Sequence, residues 1–241
     1  MRLIANIDIK NEYVIKGIQL EGLRKIDLPI KIIKKFYDSG IHEILIHDSV
    51  ASYYKRNNLG SLIKDCFKKI FVPVIIGGGI RSIRDIKTAL NYGADKVMIN
   101  TEAIKNPKFL KKACDEYGSS TIISYIEVKK NKDNWDVYFN NGREKSSFFL
   151  DEWIGIVQKM GCGEILIKSI DRDGTMSGLD YELIRRCHKI INRPIIFAGG
   201  CSSKKEILSF KKEFNNSALA FASIFYNTNL NLRSIMNIVN E

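Results

Sequence analysis

Two carboxylates fall where acid–base chemistry could be done. Asp8 ends the apolar run Leu3-Ile-Ala-Asn-Ile-Asp8, and Glu127 sits late in Tyr125-Ile-Glu-Val-Lys129. If both runs are strands of one barrel, the two carboxyl groups face each other across its mouth. Burial or mutual repulsion can then keep one protonated and the other ionised. The plainer alternative is that each caps a neighbouring loop or pairs with Lys10 or Lys129. Two glycine clusters offer a second kind of chemistry. Gly77-Gly-Gly79 and Gly199-Gly200 each close an apolar run, followed by the helix-cap candidates Ser82 or Asp85 and Ser202 or Ser203. Residues without a side chain let backbone N–H groups approach an anion, and the N-terminus of the next helix adds a favourable field. One such cluster alone is often only a tight turn. Two in matching places suit a ligand carrying a phosphate at each end. Asn100-Thr101 and Ala222-Ser223 can complete the two pockets, and Asp48, Asp171 and Asp173 follow strands closely enough to position hydroxyl groups.

The elements that must position these groups repeat within the chain. Glu43-Ile-Leu-Ile-His-Asp48 returns as Glu164-Ile-Leu-Ile-Lys-Ser169, and Pro73-Val-Ile-Ile-Gly-Gly-Gly79 returns as Pro194-Ile-Ile-Phe-Ala-Gly-Gly200, both 121 residues on (43 to 164, 73 to 194). Looser partners fill the other strands: Asn6-Ile-Asp-Ile-Lys10 with Tyr125-Ile-Glu-Val-Lys129, and Val97-Met-Ile-Asn-Thr101 with Leu219-Ala-Phe-Ala-Ser223. Four strands per half, alternating with amphipathic segments, predict an α/β fold: a (β/α)8 TIM barrel of two half-barrel repeats, a single domain over residues 1–241. Residues 10–29 and 129–145 interrupt the rhythm after strands one and five. The first is long enough for a mobile lid. The second, with Trp135-Asp-Val-Tyr-Phe139 before Asn140-Asn-Gly142, reads as a hairpin.

At the opposite strand ends, Arg2, Glu43, Lys96 and Glu164 precede apolar runs and can crowd the barrel bottom, as a charged ring or as ordinary ion pairs. The chain carries 38 Lys+Arg against 27 Asp+Glu, a formal charge of +11. This favours anionic partners, but the basic residues are scattered and groups such as Lys68-Lys69 and Lys111-Lys112 are short, so no nucleic-acid stripe is expected. Cys66, Cys114, Cys162, Cys187 and Cys201 form no CxxC pair, predicting reduced thiols, no metal site and a cytoplasmic protein. No signal segment or long apolar span is read, so no membrane association is expected.

Over nearly its whole length, Leu3 to about Ile224, the chain resembles the cyclase subunits of imidazole glycerol phosphate synthase, a family of histidine-biosynthesis barrels. The likeness is carried by Gly77-Gly-Gly-Ile-Arg81, Gly93-Ala-Asp-Lys-Val97 with Ile99-Asn-Thr101, and Ser169-Ile-Asp-Arg-Asp-Gly-Thr175 with Ser177-Gly178. The resemblance implies that ammonia from a glutaminase subunit, bound at the N-terminal face, enters through the barrel bottom. It would attack a bisphosphorylated ribulosyl-formimino aminoimidazole carboxamide nucleotide, releasing imidazole glycerol phosphate and the carboxamide ribotide, with no organic cofactor. Asp8 matches a family catalytic aspartate, and Arg2, Glu43, Lys96 and Glu164 match a charged ammonia gate. Lys16 falls in the first-loop motif Val14-Ile-Lys-Gly17. Substrate and phosphate contacts fall to Lys16, Asp48, Gly78, Gly79, Asn100, Thr101, Lys168, Asp173, Gly174, Gly199, Gly200, Ala222 and Ser223.

The chain departs from the pattern at the mouth. Glu127 replaces the second catalytic aspartate, and Lys168 stands where a small hydroxyl residue is usual. Cys201-Ser202 replaces Ala-Gly, and Asn215-Asn-Ser217 replaces Gly-Ala-Asp before the last strand. These changes fit a paralogue that channels ammonia in amidino-sugar synthesis for surface polysaccharides. A non-catalytic scaffold for a glutaminase is a third reading, against which the two retained glycine clusters stand.

Overall fold

The computed structural model describes residues 1–54, 67, 70–227 and 231–240, and every structural statement concerns these. Cys66, Lys68-Lys69 and most of the amphipathic stretch 59–70 lie outside them. Twelve strands are formed: β1 Arg2–Lys10, β2 Tyr13–Ile18, β3 Glu21–Lys25, β4 Glu43–Asp48, β5 Val74–Gly77, β6 Lys96–Ile99, β7 Ile122–Asn131, β8 Asn134–Phe139, β9 Glu144–Phe149, β10 Glu164–Ser169, β11 Ile195–Ala198 and β12 Ala218–Phe221. Eight of them close a parallel barrel in the order β1-β4-β5-β6-β7-β10-β11-β12, with β12 pairing back onto β1. Helices over Pro29–Asp38 (α1), Ile83–Asn91 (α2), Pro107–Tyr117 (α3), Leu150–Met160 (α4), Tyr181–Ile190 (α5) and Lys204–Glu213 (α6) connect or flank the strands. The eight-stranded (β/α)8 barrel expected from the repeat is thus formed, with β1, β4, β5 and β6 in one half and β7, β10, β11 and β12 in the other.

Strand alternation sorts the side chains into two cores. Odd residues of β1 (Leu3, Ala5, Ile7, Ile9) pack outward against helices with Ile44, Ile46, Ile165 and Ile167. Their neighbours point into the barrel, where Ile4, Leu45, Ile75, Met98, Ile123, Tyr125, Leu166 and Ile196 form a separate apolar layer. Successive side chains of a strand face opposite ways, so each inward column reads from bottom to mouth. The columns are Arg2-Ile4-Asn6-Asp8, Glu43-Leu45-His47, Ile123-Tyr125-Glu127 and Glu164-Leu166-Lys168. A single periodicity therefore places charge at the bottom, apolar packing at mid-height and reactive groups at the mouth.

Both interruptions are hairpins. Residues 10–29, expected as a long lid, form β2 and β3, joined through Gln19 and Leu20, both in the left-handed region at φ 52° and 65°. A turn with both central residues at positive φ matches strand twist, but costs more without glycine. Asp173 O accepts the Gln19 backbone N–H at 2.7 Å, and Asp171 O accepts its side-chain amide at 3.1 Å, which offsets that cost. β8 and β9 form the hairpin predicted after strand five, with β8 antiparallel to β7 and β9 antiparallel to β8.

Candidate active site

At the barrel bottom, Arg2 bonds to both Glu43 and Glu164. Lys96 Nζ lies 3.1 Å from Glu164 and 3.6 Å from Glu43, so two cations and two anions alternate in one closed ring. Glu43 and Glu164 are almost fully buried, whereas Arg2 reaches solvent. The four charges read from the sequence are thereby brought together.

At the mouth, Asp8 is paired with side chains from three other strands rather than with Lys10. Its Oδ2 is 3.4 Å from Lys16 Nζ and 3.9 Å from Lys168 Nζ, and its Oδ1 is 3.3 Å from His47 Nδ1. Asp173 shares both lysines, at 3.0 Å from Lys16 and 3.6 Å from Lys168. Burial alone would raise the Asp8 pKa, but Lys168, Lys16 and the His47 hydrogen bond outweigh it and hold the carboxyl well below the usual carboxylate range. Burial would lower Lys168, yet Asp173, Asp8 and Glu127 push its ammonium pKa above the ordinary value. Buried charges persist when paired in this way.

Glu127 is shifted in the opposite direction to Asp8. It is wholly buried, with the Tyr125 hydroxyl donating to Oε1 at 2.9 Å and the Gly142 N–H donating to Oε2 at 2.9 Å. Burial raises its pKa; His47, Lys168 and the two hydrogen bonds oppose the rise without cancelling it. Burial and the adjacent Glu127 likewise raise the Tyr125 hydroxyl, so the proton of that bond stays on Tyr125. Two carboxyl groups whose surroundings push their pKa values apart are the usual sign of divided acid and base duties.

The glycine clusters open two separate clefts. One, of about 20 Å³, is lined by Gly78, Gly79, Asn100, Thr101, Asp48, His47 and Glu127. The other, also about 20 Å³, is lined by Lys16, Asp173, Gly174, Gly199, Gly200, Ala222 and Ser223. Gly78 has φ +97°, and a Cβ there would lie 2.4 Å from Asp48 O; Gly200 has φ +91°, and its Cβ would lie 2.2 Å from Gly178 O. Only glycine fits either position. Ser82 and Asp85 form a reciprocal capping box at the start of α2, while Ser203 caps α6 by accepting the Glu206 N–H.

Several expected ligands also hold the frame. Asp48 Oδ1 accepts the Val50 and Ala51 amides, each at 3.0 Å, and Asp171 accepts the Lys130 N–H at 2.7 Å. Asn100 donates to the carbonyls of Tyr125 and Tyr138, and Thr101 Oγ1 accepts the Asn140 N–H, so this cleft's rim also anchors the second hairpin. Lys168, grouped with the phosphate ligands by sequence, lines neither glycine cleft. It lies 2% exposed beneath them, beside Asn6, His47 and Tyr125.

Sequence reading gave no role to His47 or Tyr125. The signal was present in register: Asp8 is the cross-strand partner of His47, and Lys168 that of Glu127. Alternation from the apolar Leu45 puts His47 inside, and from the apolar Ile123 it puts Tyr125 inside.

The chain is thus a duplicated (β/α)8 barrel with a glycine-rimmed cleft from each half and buried carboxyl groups at its mouth. The family model described as "Histidine biosynthesis protein" matches residues 2–231, and the chain belongs to that family. Among curated relatives, "Imidazole glycerol phosphate synthase subunit HisF" of Legionella pneumophila is 40% identical, over 86% of this chain and 98% of the relative. The protein of that name from Lactococcus lactis subsp. cremoris is 38% identical over 93% of this chain and 88% of its own. The one from Clostridium botulinum (strain Okra) is 36% identical over 100% and 96%. No helix among the described residues is long and apolar enough to cross a membrane. Cys114, Cys162, Cys187 and Cys201 are free and buried.

Proposed function

We propose that this chain is the cyclase subunit of an imidazole glycerol phosphate synthase-type glutamine amidotransferase. In this reading a glutaminase subunit docks on the N-terminal face of the barrel in the cytoplasm and delivers ammonia through the Arg2, Glu43, Lys96 and Glu164 ring. Ammonia reacts at the mouth with the bisphosphorylated ribulosyl nucleotide, giving imidazole glycerol phosphate and aminoimidazole carboxamide ribotide. The observation that carries the reading is the pair of glycine-rimmed clefts, one per half-barrel, with Glu127 lining one and Lys16, the partner of Asp8, meeting Asp173 at the other. Backbone amides at Gly78-Gly79 and Gly199-Gly200 take the two phosphates, one phosphate replacing the Ser52 hydroxyl that the Gly79 N–H meets at 3.3 Å. Lys16 and Asp173 orient the chain between them. Asp8 is the ionised member of the acid–base pair, and Glu127 the member held toward its protonated form. Neither a metal nor an organic cofactor enters the proposed reaction.

One observation favours a second reading. Lys168 places a buried ammonium between Asp8 and Asp173, and that added cation suits a mouth adapted to a different ammonia acceptor, such as an amidino-sugar precursor. Purified protein given ammonium salt and the bisphosphorylated nucleotide separates the two. Formation of the imidazole product supports the first reading, and a folded protein that forms none shifts the assignment to the second.

A further inference from the structure

His47 is the inward residue of β4 at the height of Asp8, and it borders two spaces at once. Its ring lines the glycine cleft with Gly78 and Asn100, and also the narrow interior space above the apolar layer, with Leu45, Met98, Leu166 and Lys168. A nitrogen nucleophile rising from the barrel bottom would meet this ring on entering the mouth. Asp8 Oδ1 holds Nδ1 at 3.3 Å, and the Tyr125 ring packs edge-on against the imidazole with centroids 5.5 Å apart, so the ring orientation is set from two sides. Among the described residues, Nε2 makes no hydrogen bond to the protein.

The charged groups around the pair divide sharply. Lys16 on β2 and Lys168 on β10 face Asp8; Glu127 on β7 lies across from the imidazole; Asp173 takes the remaining reach of both lysines. A carboxylate flanked by two ammonium groups is a feeble proton acceptor, because a useful base must bind a proton near the working pH. The same carboxylate is well suited to hold an imidazole in one tautomer and to stabilise it when it gains charge.

We propose that the base on the Asp8 side of the site is the Asp8–His47 pair, with His47 Nε2 as the atom that moves the proton during ammonia addition. The proposal rests on the function proposed above. The ammonia lone pair forms the bond to the carbonyl carbon of the ribulosyl chain, and the C=O π pair moves to oxygen. The nitrogen, now positive, gives a proton to Nε2, and the imidazolium returns that proton to the alkoxide oxygen. The product of the step is a neutral carbinolamine, and His47 ends as it began. Asp8 is the positioning residue, acting through Nδ1, and His47 the catalytic one.

The chain has three histidines, so the imidazole nitrogens can be followed individually by NMR of the 15N-labelled full-length protein, with His47→Gln assigning the signal. Neutral His47 is expected as the Nδ1–H tautomer, the minor form of free imidazole, and Asp8→Ala should release it to the Nε2–H form. In the ammonium assay, His47→Gln is expected to lower kcat by at least about a hundredfold, with the nucleotide KM within about threefold. An Nε2–H tautomer in the unaltered protein overturns the proposal, whatever the substrate. So does a His47→Gln protein that turns over as fast as the parent. If the parent itself does not convert the nucleotide, the functional reading fails, while an Nδ1–H tautomer released by Asp8→Ala still upholds the pair.

Discussion

Glu127 accepts the backbone N–H of Gly142 at 2.9 Å, so the carboxyl group proposed for acid–base work also fastens the tip of the β8–β9 hairpin to the barrel mouth. Gly142 in turn lies against Leu20 at the turn of the β2–β3 hairpin. The two inserted hairpins therefore meet over the mouth, and the contact depends on one side chain being long enough to reach. Glu127→Asp removes a methylene, and the shorter carboxylate cannot serve both Tyr125 and Gly142. We expect a loss of about 1–3 kcal/mol from the stranded buried donor, read by urea unfolding. Hydrogen exchange at residues 140–143 should rise, and ammonia-dependent turnover should fall.

The glycine clefts make a second prediction. Gly78→Ala and Gly200→Ala each set a methyl group against a carbonyl oxygen and force an L-residue to positive φ. Either should destabilise the fold by about 2–4 kcal/mol and weaken binding of the bisphosphorylated nucleotide more than tenfold, measured by calorimetry. Binding that survives both substitutions would place the phosphates elsewhere.

Lys168→Met tests the buried charge cluster through pH. Asp8 has a lowered folded pKa, so its contribution is present above about 3.9, its unfolded value, and is lost as pH falls through the folded value. Lys168 has a raised folded pKa, so its contribution is complete below about 10.4 and is lost as pH climbs through the folded value. The stability difference between parent and Lys168→Met should thus be greatest between about pH 4 and pH 10 and shrink on both sides. Denaturant melts across that range read it directly. A difference independent of pH would mean that packing, not charge, is what Lys168 supplies.

Much of this was legible in the residues. The duplication at a nearly constant spacing showed the eight strands, and Asn140-Asn-Gly142 the second hairpin, because both signals are local. The charged ring was legible because each member directly precedes an apolar run. The partners of Asp8 were not: Lys16 arrives from an inserted hairpin, and Lys168 and His47 arrive through register, which is fixed by barrel closure. Lys168 was legible as a mouth residue at the end of its strand, but its pairing with Asp8 and Asp173 was not.

At the barrel bottom, Arg2→Ala leaves Glu43 and Glu164, among the described residues, with Lys96 alone to neutralise them. A stability loss of about 1–3 kcal/mol is expected, reduced from the fully buried case because Arg2 is partly solvated. If the ring meters ammonia from a glutaminase, glutamine-driven turnover in the assembled complex should change while turnover on added ammonium salt stays within about twofold. Equal effects on both would remove the gate from the account.

The central claim is that Asp8 organises chemistry between two phosphate grips. The measurement that tests it most directly is turnover and nucleotide affinity of Asp8→Asn with ammonium salt as nitrogen donor. A loss of at least about a hundredfold in kcat is expected, with the dissociation constant of the nucleotide nearly unchanged. Turnover equal to that of the parent protein would contradict it.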